Sequence, residues 1–356
     1  MMKQEVRIDR EKKQSGRKTL GKLLVLASLL VLHWPTPGLA QESQIFRLVT
    51  FSSAGDLRLG ATQGEGQVDI VDVHHAIQYL MREQPGAVGD LPYIPADMKT
   101  LIEAGSDSIR AVRNVYQSIT RLKASGAFTE PGGAERVFYP PTSVGLLCPI
   151  PNPSKIIGMA GNYAREGDLP EYPSAFLKSV SALVGHEEVI DLAGLVTVGV
   201  HEPELALVIG KRARNVPEAQ AFDYVVGYTI VNDVTARDLP QGNHPAQGSA
   251  ISKSLDTFAP CGPYLTLKED VPDPHNLAIG ARINGQAWEI PNANTRHLIF
   301  KIPQIIAYLS QRMTLMPGDI IATGVPAAVV PLRAGDTAEM IIEKLGTLRN
   351  RVVAKQ

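Results

Sequence analysis

The chain has 356 residues, 44% of them hydrophobic and 20% charged, and 35 Lys+Arg against 36 Asp+Glu give a formal net charge of -1. That balance gives nucleic acid and acidic membranes no electrostatic handle, so neither is expected as a partner, and the length suffices for one large domain or two smaller ones with a real core. The 31 Gly and 26 Pro favour many strands and turns over long helices.

A basic excess between Lys3 and Lys22 precedes the apolar run Leu23 to Leu32. Pro35 and Pro37 then break any helix, and Gly38-Leu39-Ala40 offers the small residues that a signal peptidase reads. Residues 1–40 are read as a cleaved secretory signal, which sends the mature chain to the periplasm or the exterior. An apolar run of about ten residues is too short to span a bilayer, so no stable membrane anchor is expected. Cys148 and Cys261 are the only cysteines. They are expected as two buried thiols, with a single disulfide as the alternative.

Ile45 to Val73 reads as a β-meander: FRLVTF, a Ser-Ser-Ala-Gly-Asp turn, LRLGATQ, a Gly-Glu-Gly turn and VDIVDV. Two helical patterns follow, His74 to Arg82 and Asp97 to Ser125, the second broken near Gly105. Adjacent His74 and His75 diverge on a helix and form no ready metal pair, so they are read as surface or capping residues. Phe128 to Pro153, rich in Pro and Gly, reads as a linker, closing a small N-terminal domain over residues 41–150. From Lys155 strands dominate: KIIGMAG, FLK, the apolar stretches Leu205 to Ile209 and Tyr224 to Val231, GPYLTL, a hairpin around Asn284-Gly285, DIIATG and TAEMIIEKLGTLRNRVV. One helix is expected near Pro303 to Arg312. The fold class is α+β, mainly β.

In HEPELALVIG, Glu202 and Glu204 stand two apart, so on an extended strand they share a face at the mouth of an apolar run. Adjacent carboxylates repel, and a divalent cation with oxygen ligands would resolve the repulsion; Asp233, ending a second apolar strand, could complete the set. The bland alternative is a pair of solvated glutamates at a strand end. Arg237 and Lys253 lie close by in sequence and suit a carboxylated or enolisable substrate, the first as a planar fork and the second as a point charge. Their alternative is structural ion pairing, of Arg237 with Asp238 or Asp256. No G-x-S-x-G elbow, H-E-x-x-H, paired C-x-x-C, phosphate-binding loop or dinucleotide fingerprint competes.

KIIGMAGNY, FLKSVSALVG, EPELALVIGKRARNV, DYVVGYTIVNDVTARDL, SKSLDTFAPCGPYL, LMPGDIIATGVP and LGTLRNRV together resemble the fumarylacetoacetate hydrolase family, across Ile45 to Val353. The resemblance implies a mixed β-fold with residues 151–356 as the catalytic domain, and a homodimer. It places Glu202, Glu204 and Asp233 as ligands of Mg2+, with Mn2+ or Ca2+ as alternatives, Lys253 as the active-site lysine and Arg237 on the substrate side. Asn162, Tyr163, Gln241, Thr323 and Gly324 fall at candidate substrate-binding positions. The activities implied are hydrolysis or C–C cleavage of small 2-oxo or diketo acids, as in the catabolism of aromatic compounds, through a metal-stabilised enolate. The alternatives are isomerisation or decarboxylation of unsaturated 2-oxo dioates, or metal-dependent carboxylate binding without catalysis. The segment after Tyr163, AREGDLPEYPSAFLK, lacks the histidine of the family's lid. Glu166 stands about where it would be and is the candidate general base, a role that needs a pKa raised by burial. Val325 replaces a threonine of the family pattern, and Pro240 a glutamine.

Overall fold

In FRLVTFSS, apolar side chains face both ways, and the segment forms β1 (Phe46–Ser53), antiparallel to β2 (Asp56–Gln63). The turn between them, Ala54-Gly55, has φ of 52° and 90°, the left-handed pair whose twist matches that of a hairpin. The computed structural model describes residues 45–354 apart from 65, 67, 90, 164–168, 195, 240–250, 289–292 and 327–329. Residues 1–40, read as a signal, therefore lie outside the described residues, and among the described ones no helix is long and apolar enough to cross a membrane.

β3 (Ile70–Asp72) pairs with β2, and the Asp72 carboxylate caps α1 (Val73–Glu83) by accepting from the His75 amide. The helical pattern from Asp97 divides at Gly105, whose φ of 92° separates α2 (Met98–Ala104) from α3 (Ser106–Ala124). The stretch expected as a linker supplies two short strands, β4 (Phe138–Tyr139) on β3 and β5 (Gly145–Leu146) on β1. Beyond it come β6 (Ile156–Ala160), β7 (Ser174–Lys178), β8 (Leu183–Val184), β9 (Val189–Asp191) and β10 (Gly199–Val200). The long central strands are β11 (Pro203–Ile209), β12 (Val225–Asn232) and β14 (Ala259–Leu267), with β13 (Thr235–Ala236) between the last two in sequence. β15 (Ile279–Ile283) and β16 (Gln286–Trp288) turn on Asn284-Gly285, again with both φ positive, at 53° and 76°. Pro303 lies in the first turn of α4 (Ile302–Arg312), and β17 (Ile320–Ala322), β18 (Pro331–Leu332), β19 (Thr337–Ile342) and β20 (Gly346–Val353) complete the chain.

Among the described residues, one mixed sheet of 12 strands runs β4-β3-β2-β1-β14-β12-β11-β17-β6-β7, with β5 beside β1 and β8 beside β14; a five-stranded sheet (β16-β15-β19-β20-β9) and a three-stranded one (β13-β10-β18) accompany it. β11 is buried on both faces, and its period of two divides its side chains between two cores. Leu205, Leu207 and Ile209 join Ile305, Ile306 and Leu309 of α4 and Met340 and Ile342 of β19. Ala206 and Val208 join Leu80, Leu101, Val112 and Ile119 of α1 to α3. The fold is thus α+β and mainly β, as read from the sequence. Cys148 and Cys261 are free, buried in the second core and in mutual contact.

Where β12 pairs with β14, a Cβ on Gly227 would lie 2.3 Å from the Thr266 carbonyl oxygen. Gly227→Ala is therefore expected to lower the unfolding free energy by roughly 1–3 kcal/mol, read from the urea midpoint at unchanged m-value. Gly280→Ala, at a site with nothing within 4 Å of the added carbon, is expected to change it by less than about 0.5 kcal/mol.

Candidate active site

The antiparallel register of β11 and β12 pairs Pro203 with Asn232 and Glu204 with Val231, and just beyond the paired residues the Asp233 amide donates to the Glu202 carbonyl at 2.9 Å. Glu202 and Asp233 are therefore direct cross-strand neighbours, and Glu204, two residues along, shares their face. One ligand oxygen from each of the three carboxylates lies within 4.8 Å of the others, and all three residues are buried. Glu204 accepts from the Gly324 amide at 2.7 Å, just past β17, where Gly324 has φ of 101° and lies against Met159 and Asn162.

The loop ends around this cluster are tied to one another. Asn162 donates through its Nδ2 to the carbonyls of Phe300 and Thr323 (3.1 and 3.0 Å) and accepts from the Phe300 amide at 2.8 Å, while the Thr323 hydroxyl donates to the Leu205 carbonyl at 2.9 Å. The polar side-chain groups of Asn162 and Thr323, expected at the substrate, are thus engaged with backbone. The buried Tyr163 hydroxyl lies near Glu204 and Thr323 without a well-formed hydrogen bond among the described residues, and burial, then the Glu204 charge, push its pKa up.

Lys253 Nζ lies 2.6 Å from Asp233 Oδ2, 2.7 Å from Thr235 Oγ1 and 3.0 Å from Glu202 Oε2, and sits 5.0 Å from the centre of the Phe176 ring. That ring needs a glycine behind it, since a Cβ on Gly158 would come within 2.3 Å of it. A second ammonium, which sequence reading missed, approaches from the other side: Lys178 Nζ is 2.5 Å from Asp233 Oδ1 and 3.3 Å from the Val234 carbonyl oxygen. Thr235 and Phe176 were missed as well. Arg237 is exposed and close enough for its charge to favour ionised Glu202. The Asp238 carboxylate instead accepts from the Thr197 hydroxyl and the Thr197 and Val198 amides. Glu166 and Gln241 lie outside the described residues.

The electrostatics follow from crowding three acids in a dry place. Burial, then Asp233 and Glu202, push the Glu204 carboxyl well up; burial and Asp233 raise Glu202. Burial works the same way on Asp233, but Lys178 and Lys253 outweigh it and hold that carboxyl below its usual range. Burial draws Lys253 down, yet Asp233 and Glu202 prevail and keep its pKa above the ordinary value. The set is all-oxygen, negatively charged and partly protonated when nothing divalent balances it, which fits a hard cation of the Mg2+, Mn2+ or Ca2+ kind.

A family model described as fumarylacetoacetate (FAA) hydrolase C-terminal matches residues 152–353. A mitochondrial oxaloacetate tautomerase of Bos taurus, FAHD2A, is 34% identical over 352 residues, covering 94% of this chain and 98% of its own. The oxaloacetate tautomerase YisK of Bacillus subtilis is 42% identical over 230 residues, covering 60% of this chain and 75% of its own. Among solved structures, maleylpyruvate hydrolase from Sphingobium sp. SYK-6, in complex with manganese(II) ion and pyruvate, aligns with a TM-score of 0.63 at 32% identity, over 87% of this chain and 100% of that one.

His201, next to Glu202, is buried, and neither ring nitrogen has a hydrogen-bond partner among the described residues; burial pushes its pKa down to about 4. The unfolded chain takes up this proton near pH 6.5, whereas the folded one resists until about pH 4. Stability from this group is thus complete above pH 6.5 and is lost as pH falls towards 4, by roughly 3 kcal/mol at most. The expected outcome, in protein held with a chelator, is that His201→Leu gains on wild type in urea denaturation at pH 4.5 relative to pH 7.5. The difference between the two proteins isolates the histidine from the carboxylates that titrate in the same range.

Proposed function

The chain belongs to the fumarylacetoacetate hydrolase family, and from that premise we propose that it is a divalent-metal-dependent enzyme that enolises a small 2-oxo carboxylate, with keto–enol tautomerisation of a 2-oxo dicarboxylate as its reaction. The observation that carries this reading is the buried Glu202, Glu204 and Asp233 set beneath the Lys253 ammonium. In it, Glu202, Glu204 and Asp233 would hold the ion, Mg2+ in the first instance. When bound, the ion would supply Lewis-acid polarisation of adjacent oxo and carboxylate oxygens.

The rest falls to side chains. Lys253, kept an ammonium by Asp233 and Glu202, would donate towards the substrate oxygen on which negative charge develops. Phe176 and Thr235 restrain it, so little reorientation is needed as that charge appears. Arg237, exposed at the mouth, would offer its planar fork to a second carboxylate. Tautomerisation moves one proton between carbon and oxygen and consumes no water, which accords with a segment after Tyr163 that has no histidine. The Bos taurus tautomerase, matched along nearly the whole of both chains, supports the same choice. A second reading, hydrolysis of a C–C bond in an acylpyruvate, is favoured by the likeness to the maleylpyruvate hydrolase. Export directed by residues 1–40, and a homodimer, are part of the proposal.

The test is to strip the protein with chelator, restore Mg2+ or Mn2+, and follow decay of oxaloacetate enol absorbance beside loss of acylpyruvate absorbance. Metal-dependent acceleration of the first is expected, with kcat/KM falling at least about 100-fold in Lys253→Met. Wild-type protein that binds no divalent ion sinks the reading. Binding without turnover of either substrate would leave a carboxylate-binding protein, and preferential loss of acylpyruvate would establish the second reading.

A further inference from the structure

Resting on the reading of Glu202, Glu204 and Asp233 as ligands, we propose that Lys178 is a positioning residue that holds one oxygen of Asp233 out of the cation site and thereby sets which divalent ion the site prefers. The two ammonium groups at Asp233 differ in kind. Lys253 keeps 14% of its side chain exposed and divides its contacts among Asp233, Glu202 and Thr235. The Lys178 side chain is 0% exposed and, among the described residues, donates to Asp233 Oδ1, at 2.5 Å, and the Val234 carbonyl.

The two oxygens of Asp233 are therefore not equivalent. Oδ1 is bound by Lys178, whereas Oδ2 lies with Lys253 and, through it, with Glu202. Lys178 is the last residue of β7, and its register with Ile156 fixes it to the strand that runs beside β17. Its neighbour Leu177 is 53% exposed, so the strand turns an apolar side chain to solvent and a charged one inward. Packing alone does not require this, because a methionine of similar length would fill the space without desolvating an ammonium.

What the ammonium adds is orientation. With Oδ1 held by a buried lysine, Asp233 has only Oδ2 to offer, through the lone pair that Lys253 does not occupy, and acts as a monodentate ligand. Ca2+ takes six to eight oxygens and uses bidentate carboxylates readily, whereas Mg2+ and Mn2+ favour six single oxygens in a tight octahedron. Lys178 therefore biases the site towards the smaller ions. Substituted by a neutral side chain, it leaves Asp233 free to swing or to offer both oxygens, and the preference falls.

The experiment is calorimetric titration of chelator-stripped, full-length protein with Mn2+ and with Ca2+, for wild type, Lys178→Met, Lys178→Gln and Lys178→Arg, with folding checked by circular dichroism and Tm. Wild type is expected to bind Mn2+ more tightly than Ca2+. In Lys178→Met the Mn2+ affinity is expected to fall tenfold to 100-fold, and the Mn2+/Ca2+ ratio at least tenfold, with Lys178→Arg restoring most of both. A role confined to stability would lower Tm and leave the ratio unmoved. Should the Met variant not fold, Lys178→Gln decides on the same criterion. If a folded neutral variant keeps wild-type Mn2+ affinity and ratio within about twofold, Lys178 has no positioning role although the ligand assignment stands. If wild type binds neither ion, the ligand assignment fails and takes this proposal with it.

Discussion

Repulsion among three buried carboxylates is the interaction on which the rest of the site depends. The antiparallel register of β11 and β12 puts Glu202 opposite Asp233, and the strand's period of two puts Glu204 on the same face. Left alone, such a cluster would protonate or open. It is held closed by Lys253 and Lys178 on the two oxygens of Asp233 and by the Gly324 amide on Glu204. Each of these groups arrives from a different element, so the cluster is also a junction of β7, β11, β12, β17 and the segment around Lys253.

That junction explains why the scaffold is stiff where it is. β11 carries apolar side chains into two cores at once, so the strand that begins at the glutamates cannot shift by one residue without turning Leu205, Leu207 and Ile209 away from α4. Asn162 ties β6 to the segments at Phe300 and Thr323, and Thr323 is tied back to Leu205. These polar side chains hold backbone rather than a ligand. The consequence for chemistry is pre-organisation: Lys253 is fixed by three polar contacts and an aromatic ring before any substrate enters.

Much of this was legible in the sequence, for identifiable reasons. The pairing of Glu202 with Glu204 follows from strand alternation, and the hairpin at Asn284-Gly285, the break at Gly105 and the helix begun near Pro303 follow from turn and cap chemistry. Lys178 was not legible, because the last lysine of an edge strand looks like a solvated one until the sheet order shows what lies across from it. Thr235 and Phe176 were hidden likewise, since their roles exist only relative to the Lys253 ammonium. The stretch Phe128 to Pro153 resembled a linker because strands two residues long leave no periodicity to read.

Charge bookkeeping bears on the substrate. With all three carboxylates ionised and Lys178 and Lys253 both protonated, the cluster would carry a net charge of one negative. A divalent ion would reverse that to one positive charge, and Arg237, close enough to influence Glu202, would add another at the mouth. A monocarboxylate would neutralise only half of this surplus. A 2-oxo dicarboxylate would neutralise all of it, one carboxylate sharing the ion with the oxo group and the other meeting the guanidinium, with Lys253 left beside the oxygen whose charge grows. Burial strengthens the case, because each uncompensated charge costs more in a dry site than in water. Under the proposed reading, the balance of the site thus selects for the number of carboxylates on the substrate before any contact with its carbon skeleton does.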